Sequence, residues 1–509
     1  MNDTARRWAR ALGHALWEHR WLLVLVTAAL VVRLDWNLRV HPIGDYVYSD
    51  MRGYMRRADS LFKHEWWAPG EYDAFYPYGT HVFIYAVQAG LGTGPEDYRT
   101  LGIAYAIVGA LVVGFGYQVA RRTSRFRVVP PLVGIVLVAY YPLVSLGGYA
   151  LSEVPFSFCL VSSTFYLVRM AQDGNKRDAW AAGTLAALGM VVRPQILASI
   201  GLLGLFWLVF RKRMPKLRLA LMAHAILPLL LVMGFSAWRF HHHTGRYGLV
   251  SENGKFNQVF GRCHNTKIFA NPDSPKRRRT SFGPPPLIQL AKREQKMPGA
   301  WPGLDPAREI EITYTGYIGD SKILGEIIDD CVARTGWVKQ AEYSLVNVML
   351  LWRYNVMWPD SGKPEWRGYA SKWGVFHSTV LAAPALIGTL LVLLAFGVDL
   401  GWRLWGWLRP RRGEPSWLAK RLDALGSQLD GRAVGLAFVA LHLVGLVVVA
   451  AMIFGDTRLR TPYDPFILFM AVEAYAAAIW LVWTLGRRLL RENPRHEPTQ
   501  STSSAKQGE

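Results

Sequence analysis

Cysteine is scarce, three in 509 residues, which is too few for a disulfide scaffold. Acid is also in short supply, 37 residues against 58 basic ones. No glycine-rich phosphate loop, zinc-ligand spacing or Ser/His/Asp signature occurs, and no internal repeat is visible. What the chain has in quantity is apolar sequence: 51% hydrophobic and 13% aromatic residues. That excludes an ordinary soluble enzyme, since several runs approach the roughly 20 residues needed to cross a bilayer as helix. A formal charge of +21 could suggest nucleic acid. The basic residues, however, cluster at the ends of apolar runs, as membrane topology requires, and no basic helix interleaved with stacking aromatics stands in a soluble context. The expected surroundings are membrane lipids, with no nucleic-acid partner.

The apolar runs predict an all-α polytopic bundle of about ten spans: Trp21–Leu34, Leu101–Ala120, Val128–Tyr149, Val154–Met170, Ala179–Val192, Pro194–Phe210, Leu219–Trp238, Val375–Val398, Ala433–Phe454 and Pro465–Leu485. The polar, basic start is followed by Arg33, Asp35 and Asn37 and not by a small-residue cleavage site, so the first run reads as an uncleaved span. The two runs meeting at Arg193-Pro194 are short and read either as two half-length helices or as one kinked element. Thr80 to Leu91 is apolar but only a dozen residues long, nearer an interfacial or buried helix than a span. Charge decides this point. If that run does not cross, Arg121-Arg122, Lys176-Arg177, Arg211-Lys212-Arg213, Arg409 to Arg412 and Arg487-Arg488 all share the cytoplasmic side.

The organisation that follows has four parts. Residues 1–240 form an N-terminal membrane module with an outer loop at 35–100. Residues 241–373 are a small mixed extracytoplasmic insert, turn-rich around Pro284-Pro285-Pro286 and helical from Ser321 to Tyr354. Residues 374–485 hold the last spans and a cytoplasmic linker at 403–432 with an amphipathic helix. Residues 486–509 are a disordered tail. Cys159 lies inside an apolar run. Cys263 and Cys331 both fall in the insert, where they can form a bond or remain two free thiols.

Asp50 begins an amphipathic stretch in which Met51, Tyr54, Met55, Ala58, Leu61 and Phe62 recur at helical spacing, a helix lying in the interface. Aspartate is also favoured at helix starts for purely structural reasons, and so is Glu153 before Val154-Pro155. Two acids on one face at the bundle mouth form a better catalytic pair than either alone. One would deprotonate a hydroxyl while the other orients it or shares a divalent cation, magnesium or manganese. Arg458 and Arg460 in the last outer loop offer forked donors to phosphate, or else snorkel at the interface. Arg193 at the end of a short span would face the bundle or water. His241-His242-His243 reads as a solvated run, and Glu473 is the one acid deep in a span.

The order of these motifs resembles the polytopic GT-C glycosyltransferases of the protein mannosyltransferase and aminoarabinose transferase type. The elements that carry the likeness are Ser49-Asp50-Met51, Tyr76-Pro77-Tyr78-Gly79, Leu151-Ser152-Glu153-Val154-Pro155, Arg193-Pro194, Ser251-Glu252-Asn253-Gly254 and Arg458-Leu459-Arg460-Thr461-Pro462. The resemblance implies a polyprenyl-phosphate-sugar donor, a lipid, glycan or protein acceptor, and an extracytoplasmic active site in a membrane such as the bacterial inner membrane. It implies catalytic roles for Asp50 and Glu153. The substrate-binding set would be Tyr54, Arg56, Arg57, Tyr76, Tyr78, His81, Arg193, Asn253, Arg458 and Arg460. The segment from Cys263 to Trp373 matches no known element. The rival reading is a transporter or lipid flippase, which would need ionisable residues near the midplane in repeat-related broken helices. A third is a non-catalytic assembly subunit.

Overall fold

The computed structural model describes residues 19–67, 74–263, 266–270, 310–314, 321–353, 357–408 and 417–492. The proline-rich crossing, the Lys276 to Arg279 run and the expected disordered tail from residue 493 lie outside the described residues.

The chain is a polytopic all-α membrane protein. Its N-terminal helices are α1 (Arg20–Asp35), the interfacial α2 (Asp50–Phe62), the short α3 (Gly79–Gly90), α4 (Tyr98–Thr123), α5 (Val129–Ala139), α6 (Tyr141–Ser145) and α7 (Glu153–Asp173). They continue with α8 (Lys176–Val192), α9 (Ile196–Phe210), α10 (Leu219–Thr244) and α11 (Asn253–Arg262). The insert adds a parallel strand pair, β1 (Thr266–Ala270) and β2 (Ile310–Tyr314), then α12 (Ser321–Arg353). The last helices are α13 (Pro364–Phe376), α14 (Ala382–Leu408), α15 (Trp417–Ser427), α16 (Gly431–Met452), α17 (Thr457–Arg460) and α18 (Asp464–Glu492).

Seven helices among the described residues are long and apolar enough to cross a bilayer, and α5 with α6 makes an eighth as a pair bent by 51°. The remaining two of the ten expected runs are α8 and α9, at 17 and 15 residues. They are two separate helices. Phe210 at the far end of α9 packs on Phe396, and Phe206 on Phe438 in the early turns of α16, so α9 runs back the way α8 came. Thr80 to Leu91 falls in α3, a twelve-residue helix too short to span.

Local chemistry places the ends. The Asp97 carboxylate accepts the Thr100 N–H at 3.0 Å and starts α4, Gly174 in the left-handed region closes α7, and Asp430 accepts the N–H groups of Arg432 and Ala433 to open α16. Large apolar side chains on α1, α14 and α18, among them Val24, Leu391 and Val482, remain exposed toward the lipid. Cys263 and Cys331 are bonded, with a Cα separation of 5.5 Å. They join α11 to α12 over a small apolar cluster of Val259, Leu324, Ile327 and Ile328. The helix expected from Ser321 to Tyr354 is α12, with a kink at Gly336 where φ is 76°.

Candidate active site

Four segments distant in sequence meet at one end of the bundle. They are the start of α2, the turn into α7, the α8–α9 turn and the loop before α17. Ser49 precedes α2 with φ of 49°, a conformation that costs a non-glycine residue roughly 1–3 kcal/mol. Asp50 is not spent on capping. Its Oδ1 accepts the Tyr76 hydroxyl at 2.9 Å and its Oδ2 accepts Arg458 Nη1 at 2.8 Å. Gly79 lets this loop approach the α8–α9 turn, since a Cβ there would lie 2.7 Å from the Val191 and Val192 backbone.

Arg458 is the hub. Its Nε donates to Glu153, which also accepts from Arg193 Nη2, while Arg193 Nε donates to Ser152 Oγ at 2.8 Å. Asp456 caps α17 by accepting the Arg458 backbone N–H at 2.7 Å. The face of the guanidinium stacks on Trp358, 4.4 Å from the ring centre. Glu153 has no solvent exposure, whereas the Asp50 side chain keeps 28%. The acids therefore differ: Glu153 holds the arginines from beneath, and Asp50 faces outward.

Asp50, Tyr54, Tyr76, Arg193, Asn253 and Arg458 line a cavity of about 660 Å³. Its lining also includes the apolar side chains of Ala198 on α9, of Val448, Val449 and Met452 on α16 and of Phe256 on α11. The Tyr54 phenol is pushed up to about 12 by burial and then by the Asp50 charge. Tyr76 is pushed up by the same causes in the same order, so its hydroxyl stays a donor to Asp50.

The remaining sequence-predicted residues fall elsewhere. Arg56 is exposed on α2. Arg57 packs over the Tyr76 ring at 4.9 Å and donates to Gly53 O at 3.0 Å, one layer behind the cavity. Tyr78 shares a hydrogen bond with Ser236 at 2.9 Å. His81 is buried, and burial, then the charges of Arg239 and Arg57, holds its imidazole neutral. Arg460 is 1% exposed, paired with Asp464 at 3.0 Å and donating to Leu351 O at 2.9 Å. Successive residues of a helix turn by about 100°, so Arg458 and Arg460 cannot both face the cavity. Glu473 accepts from Ser124 Oγ at 2.6 Å, and the three histidines diverge, His242 toward Trp67 O and His241 toward Arg246 O.

Sequence reasoning missed Trp358 and Asp456. The second carried a signal, an aspartate two residues before an arginine in a helix-opening position. Trp358 carried none, because it arrives from the end of the insert.

The pair expected to share a divalent cation, Asp50 and Glu153, has the Arg458 guanidinium between its carboxylates. Among the described residues no three His, Cys, Asp or Glu side chains converge on a point. This donor set does not fit a protein-held metal.

Residues 94–238 match the sequence model of the dolichyl-phosphate-mannose-protein mannosyltransferase family. Over that stretch, less than a third of the chain, the sequence is similar to the membrane-embedded glycosyltransferases of this family. The matched segment runs from just before α4 into α10 and contains Glu153 and Arg193, while Asp50 and Arg458 lie on either side of it. No curated protein matches the chain.

Proposed function

We propose that this chain is a glycosyltransferase that moves a sugar from a polyprenyl-phosphate carrier to a lipid, glycan or protein acceptor at the extracytoplasmic face of its membrane, in bacteria the inner membrane. The observation that carries the reading is the junction of Asp50 with Arg458, drawn from 408 residues apart, on a cavity lined by both charged and apolar side chains. A sugar phosphate with a long isoprenoid tail has the same two-sided chemistry.

In this reading the tail lies along α9 and α16, and the phosphate meets Arg193 and Arg458. Arg193 Nη1 suits that role, being buried with no hydrogen-bond partner among the described residues; an unpaired buried donor is costly until a ligand satisfies it. Asp50 retains free lone pairs and takes the proton of the acceptor hydroxyl as that oxygen attacks the anomeric carbon. The bond from that carbon to the phosphate oxygen breaks on the opposite side, with inversion, and the phosphate leaves as the anion held by the guanidinium groups. Glu153 fixes both arginines, and no step passes through a metal. A flippase would need charge near the midplane; here Asp50, Glu153, Arg193 and Arg458 gather at one mouth.

The test is transfer of radiolabelled sugar from a polyprenyl-phosphate donor into lipid and protein fractions. The wild-type chain is expected to label one of them. Asp50→Asn is expected to lose activity by about 100-fold or more while eluting and melting like wild type. Normal transfer by this variant would remove the proposed role.

A further inference from the structure

Trp358, Pro359 and Asp360 form a short strut before α13 that touches Arg458 and the segments leading to both acids. Trp358 lies under the Arg458 guanidinium and lines the same cavity. The Pro359 carbonyl accepts the Tyr48 hydroxyl at 3.3 Å, two residues before Asp50. Asp360 is 1% exposed and accepts three hydroxyls: Tyr141 at 2.7 Å, Ser145 at 2.5 Å and Tyr149 at 2.7 Å. Those donors sit on α6 and the turn after it, the segment that leads directly into Ser152 and Glu153. One tripeptide is thus fastened to the run before each acid and stacked on the arginine between them.

We infer that Trp358 is a positioning residue for transfer, holding the Arg458 fork in the orientation that reaches Asp50 and the leaving phosphate, with Asp360 as its anchor. This rests on the transferase reading above. The physical argument starts from the fork itself. Arg458 makes two directed bonds, to Asp50 and to Glu153, and a planar guanidinium can make both only in one plane. Stacking on the indole fixes that plane. The indole in turn needs a fixed backbone, and a buried carboxylate with three hydroxyl donors gives one: each donor is satisfied only when the strut is seated, and an unseated Asp360 would leave three hydroxyls without their acceptor. Burial raises the Asp360 carboxyl above its usual range, opposed by the three hydroxyls, as expected of an acid placed for shape and not for solvent-exposed charge. The insert, which carries no part of the matched family segment, thereby supplies a working piece of the site.

Two measurements on the full-length protein in detergent or nanodiscs test the inference. The first is steady-state transfer by Trp358→Ala, Trp358→Phe and Asp360→Asn. Trp358→Ala is expected to lower kcat by about 10-fold with donor KM within about twofold, the pattern of a contact that matters in the transition state. Trp358→Phe keeps an aromatic face and is expected to recover roughly a third or more of the lost rate. Asp360→Asn should fall between them. The second measurement is amide hydrogen exchange over Asp456 to Thr461, expected to quicken in Trp358→Ala and not in Trp358→Phe. Wild-type kcat in Trp358→Ala, a phenylalanine variant no better than alanine, or unchanged exchange would each overturn the inference. A wild-type protein that transfers no sugar would defeat the transferase reading instead, and the exchange measurement would still decide whether Trp358 positions Arg458.

Discussion

Both ends of the bundle collect charged side chains, and they treat them differently. At the end opposite the cavity, Arg122 meets Asp173 and Arg125 meets Asp430 as open pairs, each partner a third to a half exposed. Asp399 is better covered, but its partners Arg213 and Arg403 reach into solvent. At the cavity end, Arg193, Glu153, Arg458 and Asp50 form one continuous chain with Glu153 fully enclosed. Open pairs are worth about 0–1 kcal/mol and suit residues whose task is to mark the side of the membrane. An enclosed chain costs desolvation that its attractions only partly offset, so a fold keeps one where the charges have work to do.

Substitutions can sharpen or break that contrast. Glu153→Ala would leave two arginines facing each other in a covered site. It should destabilise the protein by about 3–5 kcal/mol, read as a lower melting temperature in detergent. A melting point equal to wild type would mean that the chain is no more committed than the open pairs. Asp50→Asn, which keeps the Tyr76 and Arg458 contacts sterically possible, should separate activity from stability, with transfer down by about 100-fold or more and melting unchanged. Acid should act beside the site and not at the open pairs. His41 stacks on Tyr46 and is held near a pKa of about 4, first by burial. A histidine whose folded value lies below its unfolded one stabilises the protein at neutral pH and loses that contribution as pH falls. Moving from pH 7 to 5 should therefore cost roughly 2 kcal/mol, and His41→Phe should flatten the response. Arg122→Ala at the far end is expected to change stability by less than about 1 kcal/mol and transfer not at all. Smallest of all, a chelator should leave transfer within about twofold, because the Arg458 guanidinium occupies the space between the two carboxylates. Loss of activity restored by added magnesium or manganese would contradict that.

Much of this was legible in the sequence because membranes make charge informative. A short apolar run at Thr80 to Leu91 and the sidedness of the arginine clusters were enough to bring Asp50, Glu153, Arg193 and Arg458 to one mouth, where they indeed meet. Hydropathy also found α8 and α9 and their shortness, leaving open only whether they were two helices or one kinked element. What stayed hidden depended on orientation or on long-range return. Arg458 and Arg460 read alike in sequence, and only the turn of α17 separates the one in the cavity from the one bound to Asp464. His81 and Tyr78 belong to the right loop but face the packing behind it. Trp358 comes back to the site from the end of an insert with no family pattern, so no local periodicity could reveal it.

The abbreviated α8–α9 hairpin has a consequence for the lipid around it. An arm of 15 residues reaches only about 22 Å, against a hydrocarbon thickness of about 30 Å. A bilayer meeting so short a wall thins or admits water beside it. Any such thinning would fall at the flank where Arg193 ends α8, next to the cavity. Headgroups of long-chain carriers would ride lower there than in the surrounding sheet, arriving level with the protein's fixed charges instead of having to sink toward them.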